Sequence, residues 1–186
     1  MAFDIEQQLR NDLQKLSRLC CWDVQNSEYS WLSLNFGTPR LEIIEPKDTD
    51  FLERLDSARL KQKNSLRRVR VRGDFWFWID CCHWDIIFRG EKMADRNSNK
   101  SIIRKAINLI DGQIIKRFEI FPDQVKTNVY FDLGGEIHMR LEGESEDQPL
   151  WHIFNDIEDN IYSFRDNGKL EYRNSAYNIE TIIVDL

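Results

Sequence analysis

The side chains whose types invite chemistry are Cys81-Cys82-His83, with a second pair, Cys20-Cys21, far off in the chain. Thiolate and imidazole together could hold zinc or make a nucleophile–base pair. The spacing speaks against both. Zinc ligands stand roughly two to four residues apart so that both reach one ion. Adjacent residues on a strand point to opposite faces, so each pair offers one ligand at most. The reading is of small buried side chains beside Trp22, Trp78 and Trp84. No helix start or glycine-rich oxyanion loop flanks them. His83-x-Asp85 shares one strand face and reads as a surface hydrogen bond. Asp132 opposite His138 reads as a cross-strand polar pair. Gly134-Gly135 joins two strands and is no phosphate loop. The expectation is therefore a chain that is not an enzyme, with no catalytic residue, no metal ligand and no cofactor.

Charge is sorted along the chain instead. Between Arg54 and Arg72 stand Arg54, Arg59, Lys61, Lys63, Arg67, Arg68, Arg70 and Arg72 against the single acid Asp56. Between Glu142 and Asp159 stand Glu142, Glu144, Glu146, Asp147, Asp156, Glu158 and Asp159 with no Lys or Arg. Two opposite potentials choose partners and speed their encounter. The acidic run reads as a docking face for a cationic protein, with Trp151 as its aromatic anchor. It lacks the alternating ligand order of a calcium loop. The alternative is a nucleic-acid-binding module. Arg68, Arg70 and Arg72 share a strand face, and a hairpin over Gly73-Asp74 would set them opposite Phe75, Phe77 and Ile79 for phosphate contact and base stacking. A net charge of −6 works against unspecific nucleic-acid binding by the surface as a whole.

The elements that must position these groups follow from periodicity. Asp4 can cap a helix over 5–17 carrying Ile5, Leu9, Leu13 and Leu16. A hairpin is predicted from Trp31–Phe36 through Gly37-Thr38-Pro39 to Leu41–Ile44. Asp50 and Glu53 resemble a capping box for a helix to about Lys61, with Phe51, Leu55 and Ala58 inward. Arg68–Arg72 alternates as a strand, and Phe75–Ile79 is apolar on both faces, as a covered central strand is. Trp84–Phe88 reads as strand, and Ser98 opens a helix that Gly112 ends. Strands follow at 114–121, 125–133, 136–141, 150–154, 161–164, 170–172 and 179–186. A three-residue loop, Gly134-Gly135-Glu136, would pair Phe131 with Met139 and keep both apolar sets in the core.

The sum is an α+β chain, a twisted, mostly antiparallel sheet or half-barrel with two or three packed helices, in one domain over residues 1–186. Hydrophobic content of 41% and charged content of 31% match a globular protein that buries a core. The first residues show no secretory signal, and no apolar run approaches the ~20 residues of a membrane span. The cytoplasm, with reduced cysteines, is the expected compartment. The oligomeric state stays open at this stage.

The stretch Val129-Tyr130-Phe131-Asp132-Leu133-Gly134-Gly135-Glu136-Ile137, followed by Leu150-Trp151-His152-Ile153, resembles β-rich bacterial immunity proteins of contact-dependent growth inhibition and polymorphic-toxin systems. The resemblance is one of layout over 31–164. The first helix and the charged segment 50–63 have no counterpart in it. It implies a one-to-one complex with a cognate toxin domain, commonly a basic nuclease, inhibited by occlusion of its active site. No residue is carried across by motif, so the acidic face is assigned on electrostatic grounds alone.

Overall fold

The computed structural model describes residues 5–26, 31–143, 147–174 and 182–184. Strands occupy β1 Cys21–Asn26, β2 Leu32–Phe36, β3 Arg40–Ile44, β4 Arg68–Arg72, β5 Phe75–Ile79, β6 His83–Phe88 and β7 Glu91–Asp95. After a helix come β8 Ile115–Phe121, β9 Lys126–Phe131, β10 Gly135–Arg140, β11 Pro149–Asn155, β12 Asn160–Arg165, β13 Leu170–Asn174 and β14 Ile182–Val184. The helices are α1 Ile5–Leu16, α2 Thr49–Glu53, α3 Ala58–Asn64 and α4 Lys100–Ile110.

The strands form two large antiparallel sheets and a separate ribbon. One sheet runs β1-β2-β5-β11-β12-β13-β14 and the other β7-β6-β10-β9-β8; β3 and β4 pair only with each other. The fold is α+β with open sheets, as the periodicity predicts. The sheets meet through aromatic rings: Phe118 of β8 packs edge-on against Phe77 (5.6 Å) and Trp151 (5.5 Å). Helices α1 and α4 bury apolar stripes against this core, whereas α2 and α3 bury nothing.

β5 is central, with Phe75, Phe77 and Ile79 inward and Trp76 and Trp78 on the opposite face. The predicted hairpins on either side of the ribbon do not form. β2 pairs with β1 and β5, and β4 pairs with β3, so neither Gly37 nor Gly73 turns a hairpin. Both glycines make a neck where residues 40–72 leave the body. Gly37 has φ +82°, and a Cβ on Gly73 would lie 2.2 Å from the Phe36 carbonyl oxygen. Asp74 fastens the neck by accepting from the Thr38 N–H at 2.8 Å.

The helix predicted from Asp50 is two short ones. Asp48 caps the first by accepting from Phe51 N (2.8 Å), and Ser57 caps the second. Asn99, one residue after the predicted start, caps α4. Asp4 lies outside the described residues. The β9–β10 loop has three residues, but they are Asp132-Leu133-Gly134, and Tyr130 pairs with Glu136. The even shift keeps Val129 and Ile137 on the core side. It places His138 opposite Asn128, not Asp132, and Arg140 opposite Lys126, not Tyr130. Three contacts choose this register. Asp132 accepts from Ile114 N (2.8 Å), and Gln113 Oε1 accepts from Leu133 N and Gly135 N (3.1 and 3.2 Å). A Cβ on Gly135 would meet Ile110 Cδ1 at 2.6 Å, so a larger residue there would have to push the Ile110 and Gln113 side chains aside.

Candidate binding surface

The two cysteine pairs split as strand geometry requires. Cys20 and Cys81 are exposed while Cys21 and Cys82 are buried. Burial pushes the Cys21 thiol up to about 12 and the Cys82 thiol higher still, so both stay protonated and neither is poised as nucleophile or ligand.

His83, Asp85 and Asp95 bring ligand atoms within 4.8 Å of one another, the one such group among the described residues. The position a metal would take is served by an ammonium. Lys92 Nζ lies 2.7 Å from Asp85 and 2.8 Å from Asp95, and Arg140 also pairs with Asp85. His83 Nε2 stands 3.3 Å from Asp85. Burial alone would raise the Asp85 carboxyl, but hydrogen bonds from Lys92 and Arg140, then His83, outweigh it and hold it at about 2. Because the folded value lies below the unfolded one of about 3.9, the network stabilises above that pH and loses its contribution as pH falls toward 2. Unfolding midpoints followed from pH 5 down to 2 should therefore show about 2 kcal/mol of acid-labile stability that Asp85→Asn lacks.

Trp151, assigned from sequence to the docking face as its anchor, is fully buried. Its indole N–H donates to Thr127 Oγ1 (2.9 Å), and its ring stacks on Phe164 (5.6 Å). It joins the two sheets and reaches no partner. A bulge at the start of β11 puts Leu150 and Trp151 both inside.

The acidic face predicted beside it is largely spent on the chain's own cations. Asp156 pairs with Arg40 (3.1 Å) and with Arg72 of the arginine strand (3.3 Å). Glu158 pairs with Lys15 of α1 at 2.6 Å. Asp159 closes the same turn with φ +59° beside Arg40, Arg70 and Arg72. Four of the described acids still reach outward, Glu158 and Asp159 among them. Asp147 is 73% exposed despite its contact to Arg165, and Glu142 is 52% exposed beside His83 and Arg96. Glu144 and Glu146 lie outside the described residues.

The nucleic-acid constellation does not assemble either. Phe75 and Phe77 are buried on the inner face, and Glu42 sits among the arginines, pairing with Arg70 and Arg72. Arg72 instead covers the Trp76 ring at 4.2 Å, at the end of a stack in which Trp76 meets Trp78 (5.2 Å) and Phe154 (4.7 Å). His152 beside this stack bonds Ser163 Oγ at 2.7 Å, but that serine is buried, so the pair orients the imidazole and offers no nucleophile.

What remains outward is the ribbon. Leu41 pairs with Val71 and Ile43 with Val69, so the four side chains form one patch. They are 73%, 46%, 61% and 60% exposed in that order. Phe51, Leu60 and Leu66 on the same excursion are exposed as well, which gives it seven of the eleven large apolar side chains exposed among the described residues. Scattered exposed apolar residues are ordinary, but a concentration on one protruding element marks an interaction site. The excursion 40–72 also carries ten cations against six acids in a chain of net charge −6. The sequence shows Arg68–Arg72 alternating and Leu41–Ile44 as strand, but it assigns their apolar side chains to no surface, because which face stays uncovered depends on strand partners. Among the described residues no helix is long and apolar enough to cross a membrane.

No protein-family model, curated protein or solved structure matches this chain.

Proposed function

We propose that this chain is an immunity protein, a binding protein that neutralises a cognate toxin domain by covering its active site, and that it docks through the β3–β4 arm. The observation that carries this reading is the apolar patch of Leu41, Ile43, Val69 and Val71 on an element that contributes nothing to the core. A stable protein interface needs a desolvated apolar centre, and the ribbon supplies one ready made. Its cationic rim fits a partner surface whose own apolar spot is flanked by acids. Glu142 and Asp147 are among the exposed carboxylates that would steer a basic toxin domain during encounter.

Pull-down of the tagged chain from its source cells, followed by co-expression with any toxin domain so recovered, tests the reading. The chain should restore growth and co-purify with the toxin. L41K/V71D, which sets opposite charges across the ribbon, should keep the wild-type unfolding midpoint, since exposed substitutions stay within about 0.5 kcal/mol. It should bind at least about 100-fold more weakly, because two hot-spot anchors of about 2 kcal/mol each are lost. Protection undiminished in that variant would remove the arm from the interface. A wild-type chain that neither protects nor co-purifies would end the immunity reading.

A further inference from the structure

α4 packs across β1, the outer strand of the seven-stranded sheet, and leaves a cleft of about 470 Å³ between them. This lies inside the range of small-molecule sites, roughly 300–1,000 Å³. Its floor is apolar, made by the buried Val24 of β1 and Ile107 of α4. Its wall holds Lys100 and Arg104, four residues apart and so on the same helix face.

Like Lys105 and Lys116 elsewhere among the described residues, these two cations face no carboxylate of the chain; what sets them apart is the apolar-floored cleft they share. Arg72, Arg165 and Lys15 are each matched by carboxylates of the chain itself. Among the described residues no carboxylate pairs with Lys100 or Arg104, and α4 contains no acid in its eleven residues. Like charges one turn apart repel. Lys100 also stands in the first turn, where the helix dipole adds to its potential. An anion in the cleft relieves both costs at once. Gln25 and Asn108 border the same space as neutral hydrogen-bonding groups, and Gln25 is oriented by donating to Asp23 Oδ1 at 2.6 Å.

We infer that this cleft binds a small phosphomonoester. Arg104 would take two phosphate oxygens through its forked guanidinium, and Lys100 would act as a point charge on the third. The body of the ligand would lie on Val24 and Ile107, with its polar edge toward Gln25 and Asn108. The site is separate from the β3–β4 arm and does not depend on the immunity reading.

Thermal unfolding of the full chain with adenosine monophosphate, inorganic phosphate and adenosine tests it. The monophosphate should raise the midpoint by about 5–10 °C at about a hundredfold excess over Kd, inorganic phosphate by less, and adenosine not at all. K100E/R104E should lose the rise. K100Q/R104Q, which keeps more of the packing, should lose it too if the first variant folds poorly. A rise that survives either substitution in a folded variant overturns the proposal. So does a monophosphate that stabilises no more than adenosine does, or a rise with inorganic phosphate alone.

Discussion

Replacing Trp151 by alanine should cost about 3–5 kcal/mol of folding stability and lower the unfolding midpoint by about 10 °C. The indole is the largest group spanning the two sheets, in contact with Phe77, Phe118 and Phe164. Truncation leaves a void that rigid sheets on both sides cannot close, and it strips Thr127 Oγ1 of its donor. Trp151→Phe should cost less, about 1–2 kcal/mol, since it restores most of the volume but not the hydrogen bond. Urea unfolding followed by far-ultraviolet circular dichroism measures both, free of the change in tryptophan fluorescence. An interface anchor would behave oppositely, changing stability by less than about 0.5 kcal/mol while weakening a complex. A near-neutral Trp151→Ala would therefore return this residue to the surface and undo the account of how the sheets are joined.

Trp151 also shows how far the sequence could be read. It has the same parity as Ile153, which places both on one face of β11, and that parity points inward. The neighbouring acids drew it outward in the reading, although charge density along a chain says nothing about side-chain direction. Elements whose evidence is local and periodic were legible: α1, α4, β4 and the run of strands from β8 to β13 fall within a few residues of their predicted places. Partnerships were less so. That Arg40 pairs with Arg72 depends on two glycines crossing at a neck, a fact of backbone clearance that periodicity does not carry. The β9–β10 register was missed for the same reason. It is chosen by Gln113 and Ile110, which reach the loop from another element. That the arginine stems cover aromatic surface while their heads meet carboxylates is a reading the sequence allows, but which acid meets which base is not legible, because Asp156 and Arg72 are distant in sequence and adjacent in space.

The buried carboxylate Asp12 should be nearly as costly to remove as Trp151. It falls on the apolar stripe of α1, between Leu9 and Leu16, and is almost fully buried. Its Oδ2 accepts from Tyr162 OH (2.8 Å) and Asn155 Nδ2 (2.9 Å), and its Oδ1 pairs with Lys15 at 3.0 Å. Lys15 bonds Glu158 as well, and those two carboxylates raise its pKa, so one lysine links the helix to the β11–β12 turn. Asp12→Ala would leave a buried hydroxyl and a buried carboxamide without their acceptor, at an expected cost of about 3 kcal/mol. Asp12→Asn keeps an acceptor for Tyr162 while losing the charge, and should cost about 1 kcal/mol. A double-mutant cycle with Tyr162→Phe separates the terms. Contact at this distance predicts a coupling of about 1 kcal/mol, and simple additivity would mean that the network does not hold α1 to the sheet. The same cycle bears on the surface argument. If α1 is held this way, Glu158 is committed to Lys15 in the native state, and the turn that looked acidic in sequence serves the fold before it can serve a partner.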